Sequence, residues 1–164
     1  MIVVADTSVL INLCRVGQGA LFRQLFHEVV IPPEVALEFS RLAAATSRFA
    51  GLTIPRGIRQ QSPRLAPPIV RAAKGLDSGE AAALSLAVEI HADAVLIDER
   101  RGHEVATQLG LRTIGILGIL LRAKTVGLLP AVQPVLDALQ RDAGFWLSEM
   151  VRTQVLRLAG ELPA

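Results

Sequence analysis

Twice in this chain a short apolar run ends in an aspartate, and a helical pattern begins at once. Ile2-Val3-Val4-Ala5 runs into Asp6, Thr7 and Ser8, after which Val9, Leu10 and Leu13 fall at helical spacing to about Arg15. Ala94-Val95-Leu96-Ile97 runs into Asp98 and Glu99, and a helix from Arg100 to Leu109 closes at Gly110. Unbroken apolar runs of this length read as strands buried on both faces, as in a parallel sheet covered by helices. Ligands of such open sheets bind in the crevice at the carboxyl ends of the strands. Both aspartates therefore stand where chemistry is expected.

The remaining pattern extends this alternation. A helix is predicted from Ala20 to about His27, then a strand over Glu28–Ile31 that Pro32-Pro33 stops. Pro33 suits the first turn of the next helix, which carries Val35, Leu37, Phe39 and Leu42, with Glu34 and Glu38 four apart on one face. Gly51–Ile54 is expected as a third, weaker strand, and Arg56–Pro68 as a loop. Leu76-Asp77-Ser78-Gly79-Glu80 opens a helix with a buried stripe of Ala81, Leu84, Ala87, Val88 and His91. Arg112–Gly115 is a last short strand. From Ile116 the pattern is helical, interrupted at Gly127 to Pro130 and at Asp142 to Gly144. Leu147, Met150, Val151, Gln154 and Leu158 share one face of the final helix, which reads as cover for the sheet or for a partner. Strands alternating with helices imply a three-layer α/β/α fold, with a parallel sheet of four to five strands and right-handed crossovers. A length of 164 residues is that of a single domain, with a helical extension from about residue 130 to residue 164.

Composition removes several classes. The longest apolar run, Ile114–Leu121, is too short for a bilayer, and the N-terminus has no basic leader. A cytoplasmic protein without membrane association is expected. Cys14 is the only cysteine, so no intrachain disulfide forms, and its apolar neighbours assign it to packing. His27, His91 and His103 are too scattered for zinc. No Gly-x-Ser-x-Gly elbow and no phosphate-binding glycine loop occurs. A formal charge of +2 neither demands nor excludes nucleic acid. Aromatics are 4% of the chain and Tyr is absent, which argues against recognition by base stacking. Phe145 and Trp146 are expected to plug a core. The basic stretch of Arg56, Arg59, Arg64, Arg71 and Lys74 suits a solvated loop or an RNA backbone.

Four acids recur at comparable places: Asp6, Glu38, Glu80 and Asp98, with Glu99 beside the last. Each has a plain alternative. Asp6 suits a helix cap as well as a ligand, and Asp77 with Glu80 has the spacing of a capping box. Glu38 suits a solvated helix face, and Asp98-Glu99 a helix start. Taken together they suit Mg²⁺ or Mn²⁺, hard ions that prefer oxygen ligands. Without a cation, four clustered carboxylates repel and raise one another's pKa.

The succession VADTSVLINL, IPPEVALEF, LDSGEAAALSLA and VLIDERRGHEVATQLGL resembles the PIN-domain family. More narrowly it is similar to the DUF3368 branch, close to the VapC-like toxin ribonucleases. GILGILLRAKTVGLLP and GFWLSEMVRTQVLRLAGE extend the likeness over nearly the whole chain. The resemblance implies strand order 3-2-1-4-5, with Asp6 next to Asp98. It implies a metal-dependent endoribonuclease, with Asp6, Glu38, Glu80 and Asp98 as catalytic and metal-holding acids. It also implies that Thr7 or Ser8 supports the first acid, and that the chain is the toxin of a toxin–antitoxin pair. RNA, a small antitoxin and a second copy of the chain are the partners expected. Arg100 and Arg101, beside Asp98, are placed to meet RNA phosphates. His103 stands where the resemblance implies Arg, which removes one basic contact to phosphate or antitoxin. The alternative is a catalytically inert PIN-fold module that binds nucleic acid or protein. An aspartyl nucleophile at Asp6 is a weaker reading, because Ser8 stands where a second Asp is needed.

Overall fold

A computed structural model describes residues 1–163. The first strand, Ile2–Ala5 (β1), leads directly into helix Thr7–Arg15 (α1), as the apolar run followed by polar residues requires. A short helix, Ala20–Leu25 (α2), stops before His27 and is followed by strand Glu28–Ile31 (β2). Pro33 occupies the first turn of Pro33–Ala45 (α3).

The third strand is Arg59–Gln60 (β3), inside the stretch expected to be a loop, and not Gly51–Ile54. Leu52 and Ile54 instead pack against the core from irregular backbone. Two exposed edge residues carry no hydrophobic alternation that a sequence could display. They are held by parallel pairing to β2, by the Gln61 N–H donating to the Ile31 carbonyl at 3.0 Å, and by an Arg59–Glu28 ion pair at 2.6 Å.

Pro68–Ala72 (α4) and Ser78–Glu89 (α5) precede strand Ala94–Leu96 (β4). Eight of the twelve residues of α5 are buried, six of them consecutive, so it has no single stripe; His91 lies beyond its end, exposed and with φ 51°. Arg100–Gln108 (α6), Thr113–Ile114 (β5) and Ile116–Thr125 (α7) follow. Gly110, with φ 72°, adopts the left-handed geometry expected after a helix. Gln133–Asp142 (α8) and Glu149–Leu158 (α9) complete the described chain.

The five strands are all parallel, in the order β3-β2-β1-β4-β5. Side chains alternate across the sheet. Val3, Ala5, Val29, Ile31, Ala94 and Leu96 face one apolar cluster with α1, α2, α3, α7, α8 and α9. Val4, Val30, Val95 and Ile97 face the other, with α4, α5 and α6. The result is the expected α/β/α sandwich. Each fully buried Leu, Ile or Val contributes about 1.5–3 kcal/mol.

At the C-terminal end one expectation is narrowed, with the α9 face left to a partner rather than the sheet, and one is overturned. The core contacts of α9 come from Val155 and Leu156, while Met150 and Leu158 are largely exposed. Phe145 packs against the core, but Trp146 beside it is 83% exposed and plugs nothing. No helix among the described residues is long and apolar enough to cross a membrane.

Candidate active site

The order of the strands reverses between β1 and β4, and there the acids gather. Ala5 pairs with Leu96, and the Asp6 N–H donates to the Leu96 carbonyl at 3.0 Å, the last rung between these strands. Asp6 occupies the N-cap position of α1, yet its side chain makes no capping hydrogen bond. It is 4% exposed. Burial, opposed in part by the Thr7 amide, raises its pKa to about 7, and the charges of Asp77, Glu80 and Glu38 push the same way.

Glu80 is also buried, and it answers the choice between cap and site by doing the first with one oxygen. Its Oε2 accepts from the Asp77 N–H at 3.0 Å, while Asp77 Oδ1 accepts from the Glu80 N–H at 2.7 Å. Its Oε1 lies toward Gly102, where a Cβ would stand 3.8 Å away. Burial holds the Glu80 carboxyl above its ordinary range, and Asp77, Glu99 and Glu38 add to this.

Glu38 reaches the same place from α3. A Cβ on Gly79 would lie 3.2 Å from Glu38 Oε2, 3.4 Å from Asp77 Oδ1 and 3.6 Å from Asp6 Oδ1. Three carboxylates from three elements thus surround a glycine whose missing side chain leaves them room. Asp77, expected only as a cap, belongs to this group. The expected hydroxyl support differs: Thr7 Oγ1 donates to Glu38 Oε2 at 3.3 Å, and Ser8 Oγ is buried without a partner.

Asp98 sits at the same edge of the sheet but turns elsewhere. The strand register makes Ile97 the in-line neighbour of Asp6, so Asp98 stands one residue further along. Its Oδ1 accepts from the Ile116 N–H at 3.1 Å, at the start of α7. Gly115 permits this approach, because a Cβ there would lie 2.5 Å from Oδ1. Asp98 Oδ2 is buried with no partner. Burial raises the pKa to about 6, with the charge of Glu99 adding to the effect. Glu99 therefore presses on both Glu80 and Asp98 and links the two groups.

None of these acids is in an ion pair among the described residues. Buried anions normally have a paired charge or a metal. Oxygen donors, an orphaned Asp98 oxygen and the space at Gly79 fit a hard divalent ion in kind. As the side chains stand, however, no three His, Cys, Asp or Glu among the described residues form a metal-holding group.

The basic candidates divide. Arg100, at the start of α6, has a side chain 94% exposed and pairs with Glu104 at 3.2 Å. Arg101 is tied to the Lys74 carbonyl at 2.7 Å and to Glu104, which leaves it poorly placed for phosphate. Arg59 is occupied by Glu28. His103 pairs with Thr113 Oγ1 at 2.6 Å, joining α6 to β5.

Comparison with the curated proteins returns no match, and neither does comparison with the solved structures. A family model described as DUF3368, PIN domain, matches residues 2–161. With the strand order and that match covering almost the whole length, the chain belongs to the DUF3368 family of PIN domains.

Proposed function

We propose that this protein is a metal-dependent endoribonuclease that hydrolyses RNA phosphodiesters, the toxin of a toxin–antitoxin pair. PIN domains are a nuclease-type fold and typically use divalent metals. One observation carries the reading: Asp6, Glu38 and Glu80 are gathered at the switch point, Asp98 stands one residue further along the same sheet edge, and no basic side chain is paired to any of the four.

Those four residues would hold Mg²⁺ or Mn²⁺. When bound, the ion supplies Lewis acidity toward a phosphate oxygen and an attacking water. The chain supplies positioning. The Asp77 box fixes one oxygen of Glu80, the Thr7 hydroxyl orients Glu38, and the Ile116 amide holds Asp98. Arg100, at the exposed start of α6, draws phosphate toward the acids. Exposed Met150, Val151 and Leu158 on α9 offer an apolar face to an antitoxin or to a second copy.

The test compares RNA cleavage by the wild type and Asp6→Asn in Mg²⁺ and Mn²⁺. Cleavage that depends on the metal and falls by at least a hundredfold in the variant supports the reading; equal activity rejects it. The second reading, an inert PIN-fold binding module, is favoured by one fact: no three acids stand as a ready metal-holding group. RNA binding without turnover in any metal would establish that module.

A further inference from the structure

A cavity bounded on one wall by Asp98 and Glu99 extends beyond the acid site to the connection before α9. It measures about 470 Å³ and is lined by Ser8, Asn12, Asp98, Glu99 and the 143–146 connection that ends in Trp146. That size falls within the range of small-ligand sites. Its lining is divided between polar and apolar atoms. Ser8 and Asp98, two of its lining residues, each carry a buried oxygen without a partner, Oγ and Oδ2, that does not itself open onto the cavity.

Trp146 is the feature without a structural purpose. It is the sole tryptophan, it is 83% exposed, and it leaves a large apolar ring in water. Its neighbours Ala143 and Phe145 are anchored in the core, so the backbone that carries it is fixed. Against Gly144, on the same wall, rests the Arg48 guanidinium, close enough that a Cβ there would meet Nη1 at 2.5 Å. Arg48 takes part in no ion pair among the described residues.

We propose that this cavity is a nucleobase subsite for single-stranded RNA, in which one base stacks on Trp146 beside the acid site. The proposal rests on the ribonuclease reading and adds the chemistry of substrate selection to it. Each part has a matching partner in a nucleotide. An aromatic face takes the base, because every base has a π surface. The Asn12 carboxamide offers hydrogen bonds to a base edge. Arg48 offers a cation to the backbone phosphate. The shared wall at Asp98 places the adjacent phosphodiester at the acids. A protein partner would be served equally by Trp146, but not by a half-polar cavity that ends at the acid site. The scarcity of aromatics elsewhere is no objection, since one stacking face needs only one ring.

Because Trp146 is the only tryptophan and Tyr is absent, intrinsic fluorescence reports on this residue alone. The full-length protein is titrated, with Ca²⁺ in place of Mg²⁺ so that no strand is cut, with RNA oligonucleotides, either base-bearing or abasic and of equal length. Anisotropy of a labelled strand supplies the affinity. Base-bearing strands are expected to quench Trp146 while abasic strands do not. Trp146→Ala is expected to weaken binding of the base-bearing strand about tenfold, the size of one lost stack, and Trp146→Phe to restore most of it. Binding without quenching, or an unchanged affinity in Trp146→Ala, overturns the subsite while leaving the nuclease reading intact. A change of oligomeric state in Trp146→Ala with unaltered RNA affinity assigns the ring to a protein interface and overturns it too. Absence of binding by any strand removes both proposals.

Discussion

Asp77 and Glu80 hold each other in place: each side chain accepts the other's backbone N–H, at 2.7 Å and 3.0 Å. The pair starts α5 and, by the same bonds, directs Glu80 into the group that contains Asp6 and Glu38. Asp77→Ala is expected to cost about 1 kcal/mol of stability, the usual loss for a cap. RNA cleavage should fall by more than that loss accounts for, because Glu80 is released. Asp77→Asn keeps an acceptor for the Glu80 N–H and should recover most of the stability. Thermal melts and cleavage rates on both variants check this.

Stability should depend on pH in a direction set by the buried acids. Asp6 and Asp98 have folded pKa values of about 7 and about 6, above their ordinary value of 3.8. Between pH 4 and pH 7 the folded chain therefore keeps protons that the unfolded chain has released. Stability falls as pH rises through that window and levels off above it. For Asp6 the change is on the order of 4 kcal/mol. Metal-free protein should thus resist urea better near pH 5 than near pH 8, and Asp6→Asn should remove much of the difference. A divalent ion should restore stability at pH 8 by mass action. Equal slopes in wild type and variant contradict this origin.

Gly79 separates the needs of the helix from those of the site. Alanine is the better helix former by about 1 kcal/mol, and only the flexible ends of Glu38, Asp77 and Asp6 crowd the new methyl. Gly79→Ala should melt at least as high as the wild type. Its affinity for Mn²⁺ and its cleavage rate should both drop at least tenfold, because the methyl takes the space among the carboxylates. A variant that is less stable but fully active contradicts this placement.

Much of this was legible in the sequence, and the exceptions have physical causes. β1, β2 and α1 are bounded by abrupt changes from apolar to polar residues, so their limits could be read directly. β3 has two exposed residues and no pattern. In α9, apolar residues occupy two faces, and spacing alone does not say that Val155 and Leu156 turn inward rather than Met150 and Leu158. Asp6 and Asp98 stand at strand ends and Glu80 in the first turn of a helix, places a sequence displays. Glu38 lies inside α3 and is singled out only together with the other acids and by the family resemblance. The one-residue offset that separates Asp98 from Asp6 was not legible, because it depends on strand register. Asp77 looked like a cap and is one, which hid its second role.

Glu161 was invisible for a similar reason: its partners are distant in sequence. Its carboxylate accepts from Lys124 Nζ at 2.9 Å, the Val132 N–H at 2.7 Å and the Gln133 N–H at 3.0 Å. Those bonds hold its pKa below the ordinary range against the opposing effect of burial. One group thus ties the end of α9 to α7 and caps α8. Glu161→Ala leaves a partly buried Lys124 and two amides unpaired and should cost roughly 2–4 kcal/mol. Urea unfolding should remain a single transition if the helices after residue 130 fold with the sheet. A separate early transition shows that they form an independent unit.

The central claim is that Asp6, Glu38, Glu80 and Asp98 share a divalent cation although Asp98 approaches from the other side of the sheet edge. Calorimetric titration of Mn²⁺ into the wild type, Asp6→Asn and Asp98→Asn at pH 7.5 tests it most directly. Saturable heat in the wild type, weakened at least tenfold by either substitution, is the result expected. No heat in the wild type, or wild-type affinity in Asp98→Asn, contradicts a shared metal site.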